Sequence, residues 1–149
     1  MGAKHVIMFE DKDFLNSINI AKWHIYTASL IDCTFFCISF LHKEGKLVQT
    51  SEANKIFFEI LNIEKANGMI PEAYESGTKV FNSRYDKIDW INYCNSKPFE
   101  FSCNELYKWS PIAEELKKLD KKIVINSMFL KWNNTQNEFK RLTNKFNNK

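Results

Sequence analysis

From Thr50 to Leu61 the apolar residues Ala53, Ile56, Phe57, Ile60 and Leu61 recur at the spacing of one helix face, and Thr50-Ser51 with Glu52 make a natural start. Asn67-Gly68, with Pro71 just beyond, supplies the stop. The pattern therefore predicts an amphipathic helix that ends by about Ala66.

A second helical region follows in the last third. Ser110 offers a cap, Pro111 a first helical position, and Ile112, Leu116, Leu119, Ile123 and Leu130 fall on one stripe. Farther on the stripe rotates to Ile125, Phe129, Trp132, Phe139 and Phe146, with Gln136 and Thr143 between them at alternating spacings of four and three. One long helix, or two in succession, is expected here. A shorter helix is predicted from Asp86 or Asp89 through Cys94, stopped by Ser96-Lys97-Pro98.

Trp23 to Val48 reads two ways. At helical spacing Tyr26, Leu30, Cys33, Cys37 and Phe40 form a stripe ending at Lys43-Glu44-Gly45. At period two, Thr34 to Leu41 is a strand that turns at Glu44-Gly45 into Lys46 to Gln49. That hairpin followed by a helix locally resembles the opening of a PAS-type sensor domain, although the closing strands of such a domain have no counterpart here. The favoured fold class is mainly α, a single compact helical domain with a long C-terminal helical region. An α+β fold with a hairpin at about 34–50 is the alternative. One domain over 1–149 is expected, frayed at about 143–149, because no Gly/Ser/Pro-rich stretch divides the chain.

Composition narrows the functional classes. At 149 residues, 44% of them hydrophobic and 22 of them aromatic, the chain can build a core without metal or disulfide, and disorder is excluded. No window approaches 18 uncharged apolar residues, so neither a membrane span nor a membrane partner is expected. Without a recognisable export signal the expected location is intracellular, cytoplasmic, with Cys33, Cys37, Cys94 and Cys103 reduced. Lysine outnumbers arginine 19 to 2 beside 16 asparagines, a bias expected of an AT-rich bacterial or phage genome.

Catalytic chemistry finds little support. Cys33 and Cys37 lack the spacing of a zinc knuckle, and none of His5, His24 and His42 adjoins a cysteine. The scattered glycines 2, 45, 68 and 77 form no phosphate loop. No catalytic residue, metal or cofactor is assigned. Asp32, inside the most apolar stretch, is expected to be partly buried, capping a helix or pairing with a neighbouring lysine.

Charge is the stronger signal. Residues 117–149 carry a net charge of +7 and residues 1–116 a net charge of −4. Lys131, Lys140, Arg141 and Lys145, interleaved with aromatics, are candidates for nucleic-acid binding. Phe129, Trp132, Phe139 and Phe146 are candidates for an interaction surface, since aromatics anchor interfaces. The expected function is that of a small non-enzymatic protein–protein interaction protein, such as an accessory subunit, inhibitor or assembly component, binding another protein or itself. Nucleic-acid binding through the basic aromatic third is the first alternative, and a Cys/His-dependent enzyme or sensor domain the second.

Overall fold

A computed structural model describes residues 12–46, 49–109 and 114–147. Among them are the helices α1 (Lys12–Lys43), α2 (Glu52–Ala66), α3 (Pro71–Tyr85), α4 (Glu100–Trp109) and α5 (Glu114–Asn147), a single 3-10 turn at Tyr93–Asn95, and no strand. The mainly α class holds. The hairpin alternative does not: residues 34–43 continue α1, and Gly45 closes it in the left-handed conformation at φ 71°.

Period-two and helical patterns were both legible in α1 because it is apolar on more than one side. Ile31, Phe35 and Ile38 face a core completed by Phe57 and Leu61 of α2 and Phe81 of α3. Phe36 and Phe40 face a second core with Cys94, Phe99, Trp132 and Phe139. The helix is thus a wall between two aromatic clusters, and the expected single stripe is corrected. Its members Cys33 and Cys37 are only half-buried and Tyr26 stands at the edge, while Ile31, Phe35 and Phe36 go deepest.

By length and composition the stretch Leu15–Lys43 of α1 is apolar enough to cross a membrane, contrary to the count of uncharged residues. More than half of its most apolar window is buried against the other helices, which is how a core helix passes the same test.

The first core is held by ring contacts. Phe57 and Phe81 stack in parallel at 4.1 Å, and Phe35 lies against Phe81 at 5.1 Å. Each fully buried phenylalanine contributes about 1.5–3 kcal/mol through lost contact with water, and such ring pairs add about 0.5–1.5 kcal/mol.

Helix α2 matches its expected span and buries Ala53, Phe57 and Leu61, whereas Ile56 lies at the exposed edge. Ser51 occupies the cap position without a side-chain cap bond. At the other end Gly68 takes φ 107°, its N–H bonds the Lys65 carbonyl, and the Met69 N–H bonds the Glu64 carbonyl. These two bonds make a Schellman termination, which needs a residue without Cβ strain at that point.

Pro71 is not part of that stop. It opens α3, entered from Ile70 in extended conformation, because a proline at the first helical position forfeits no hydrogen bond. Ala73, Gly77 and Phe81 form the buried face of α3.

The helix predicted from Asp86 or Asp89 through Cys94 is replaced by turns and the 3-10 segment. Asp89 explains the difference: its Oδ1 accepts the N–H groups of Ile91 and Asn92, and its Oδ2 accepts the Asn92 amide. A side chain that takes up backbone N–H groups in this way competes with helix formation.

In α5 one helix runs through Asn147. Ser110 and Pro111 lie outside the described residues, as do the side chains of the first stripe apart from Leu130, which is 66% exposed and not on a buried face.

Candidate functional site

The alternating spacing in α5 turns one seam inward, but the seam divides. Trp132 stacks on Phe99, just before α4, ring centres 4.2 Å apart and nearly parallel. Phe139 meets Phe36 and Phe40 of α1 edge-on at 5.9 and 5.8 Å. Two of the interaction candidates are therefore used to fasten α5 to the body. The side chain of Phe146 lies outside the described residues.

Phe129 has a different place. With Ile125 and Pro98 it lines the apolar part of a groove of about 730 Å³ between α5 and the segment from Cys94 to Asn104. Asn95 and Asn104 stand on one wall, and Asn126, Asn133 and Gln136 on the other. Their positions in α5 follow from helical spacing, since 126, 129, 133, 136 and 140 recur at three and four residues. Lys97, Glu100 and Lys140 add charge of both signs. Lys97 takes φ 48°, the left-handed region, at the sharp turn that sends Pro98 and Phe99 into α4. Beyond Lys140 the groove continues into a smaller hollow of about 330 Å³ lined by Phe40, Lys43, Glu44 and Asn144.

The four basic candidates are not gathered together. Lys140 lines the groove with its Nζ 5.7 Å from the Phe40 ring centre. Arg141 instead pairs with Glu138 on the exposed face of α5, while Lys131 and Lys145 are exposed.

Sequence reasoning missed the wall formed by Asn95 and Asn104. Its only local signal was the asparagine content, and which asparagines meet across space depends on how α4 packs against α5.

Asp32 is fully buried, deeper than expected, and its partner is no neighbouring lysine. Arg84 of α3, 52 positions along the chain, donates from Nη1 to Asp32 Oδ1 at 2.8 Å. The Ser102 N–H bonds Oδ2 at 2.7 Å. Tyr93 lies 3.2 Å from Oδ1, accepts from Arg84 Nη2 at 3.0 Å and donates to the Pro98 carbonyl. Burial pushes the Asp32 carboxyl above its usual value, against the opposing pull of Arg84 and Ser102, and burial likewise raises the Tyr93 phenol.

No known protein family, curated protein or solved structure matches the chain.

The thiols are poorly suited to nucleophilic work: burial pushes Cys33 and Cys103 up to about 11 and Cys37 to about 12, the opposite of an activated thiolate. Among the described residues no group of three His, Cys, Asp or Glu side chains is placed to hold a metal ion. His24 stacks flat on Trp109 at 4.0 Å, away from any described cysteine contact.

Proposed function

We propose that this is a non-enzymatic interaction protein that holds an extended peptide segment of a partner protein in the groove between α5 and residues 94–104. The observation that carries this reading is the amide lining, Asn95, Asn104, Asn126, Asn133 and Gln136, around Phe129 and Ile125. A carboxamide carries two donors and an acceptor, the complement of the N–H and C=O groups that an extended peptide leaves unpaired. Among the described residues only Asn104 of these five has one of its donors committed, to the Glu100 carbonyl at 3.0 Å. Phe129 and Ile125 supply an apolar seat for one of its side chains. Lys97 and Lys140 against Glu100 leave the groove only mildly basic, which favours a peptide over a polyanion. The nucleic-acid reading is weaker because Arg141 is already paired and Lys131 and Lys145 stand outside the groove.

Selection from a random peptide display library, followed by fluorescence anisotropy with the selected peptides, tests this. Phe129→Ala and Gln136→Ala are expected to weaken binding about tenfold each, about 1.4 kcal/mol, while Lys131→Gln leaves it unchanged. Peptides whose affinity ignores both groove substitutions would overturn the reading. Tighter binding of a labelled oligothymidylate, with affinity falling linearly in log salt, would replace it with the nucleic-acid one.

A further inference from the structure

A second cavity, of about 490 Å³, opens at the end of α3 over Arg84 and Tyr93. We infer that it is a binding site for a small organic anion, a carboxylate or a phosphate ester, held by Arg84 and Lys87. This inference does not rest on the peptide groove.

Arg84 is anchored from behind, with Nη1 on the buried Asp32 carboxylate and Nη2 on the Tyr93 hydroxyl. The rings of Phe35 and Phe101 each lie 5.0 Å from its guanidinium carbon. Its side chain nevertheless keeps 27% of its surface exposed and lines the cavity. A guanidinium has five N–H donors in one plane, so two anchoring bonds leave donors for an anion. A clamped arginine has already lost its rotamer freedom, which lowers the entropic cost of gripping a ligand.

Lys87, in the turn just past the end of α3, lines the same cavity with a second cation, and Ser83, Asn92 and Ser96 add neutral donors. Carboxylates and phosphates take such a donor set. Asp89, the cavity's acid, directs its oxygens to the N–H groups of Ile91 and Asn92 and to the Asn92 amide. Ile88 forms an apolar wall, and the volume lies in the range of small-molecule sites, so there is room for a carbon skeleton beside the charged group.

The test is a titration of the ¹⁵N-labelled full chain with succinate, with phenyl phosphate and with inorganic phosphate, using succinamide and phenol as uncharged controls. Saturable shifts at the amides of Asn92, Tyr93 and Ser96 and at the Arg84 Nε–H, absent with the controls, are expected. Whichever of succinate and phenyl phosphate binds more tightly identifies the anion class. Lys87→Gln, at an exposed position, is expected to weaken binding about tenfold, and Arg84→Lys to abolish it. Should Arg84→Lys fail to fold, Lys87→Gln and Ser96→Ala carry the comparison. Shifts that stay linear with concentration, or wild-type affinity in Lys87→Gln, overturn the inference. A response to inorganic phosphate alone means an adventitious ion only and overturns it equally.

Discussion

Asp32 sits at the meeting point of α1, α3 and α4, with no exposed surface, and its carboxylate is satisfied by a guanidinium and a backbone N–H. A buried ion pair of this kind contributes little net stability compared with apolar residues of the same volume, yet losing one partner strands the other charge. Arg84→Met is therefore expected to lower the unfolding free energy by about 3–5 kcal/mol in urea titrations at neutral pH. Asp32→Leu combined with Arg84→Met should recover a substantial part of that loss. A double variant as unstable as the two single losses added together would show that the two side chains are not coupled and would overturn this account. Sequence could mark Asp32 as unusual because it interrupts an apolar run, but its partner, at a separation of 52 residues, is decided by how α3 crosses α1.

Helix α3 crosses α1 where Gly77 faces Thr27. A Cβ built at Gly77 would fall 2.1 Å from the Thr27 Cγ2 methyl, while the other Thr27 side-chain atoms lie at 3.5 Å or beyond. Gly77→Ala is accordingly expected to destabilise the protein by about 1–3 kcal/mol despite the better helix propensity of alanine. Thr27→Ser removes that methyl while keeping the hydroxyl bonded to the Trp23 carbonyl at 2.7 Å. The pair Gly77→Ala with Thr27→Ser should return close to wild-type stability in thermal unfolding. No rescue would mean that the helices meet differently.

The same crossing explains why some elements were legible and others were not. Helix α2 announces itself because only one of its faces is buried, and the seam from Ile125 to Phe139 because its spacing is regular. Helix α3 buries Ala73, Gly77 and Phe81, a face with one large side chain, so periodicity had little to register. The Asp89 turn broke a helix that its apolar neighbours had suggested, and the inward use of Trp132 and Phe139 depended on Phe36, Phe40 and Phe99 being elsewhere in the chain. The groove was half visible: Phe129 and Lys140 were singled out, and of the amides that surround them only Gln136 was named, as a polar member of the seam.

Across the whole molecule, His24 of α1 and Trp109 at the end of α4 form a stacked pair that links the two helices. Partial burial lowers the His24 imidazole below its ordinary 6.5, outweighing the opposing effect of Glu105 and Glu72. The unfolded chain then takes up a proton at this residue more readily than the folded one, so its contribution to stability is complete above 6.5 and is lost as pH falls below that value. His24→Phe keeps a ring over Trp109 and removes the titration. Its melting temperature is expected to fall less than that of the wild type as pH is lowered through this range. Parallel curves for the two proteins would exclude the linkage.

The two-sided burial of α1 also bears on how the chain is made. Helix α1 leaves the ribosome before any of the helices that cover it, and its cover is not complete until Phe139 of α5 has been synthesised. From Lys43 to Phe139 the chain grows by 96 residues, about 5–19 s of translation at about 5–20 residues per second. Phe35 gains Phe57 and Phe81 as α2 and α3 emerge, but Phe36 and Phe40 lack their native neighbours until Phe99, Trp132 and Phe139 follow. The nascent chain is thus most exposed to misassociation before α5 is made, and chaperone demand should follow the rate of elongation between α1 and α5 rather than the stability of the finished protein.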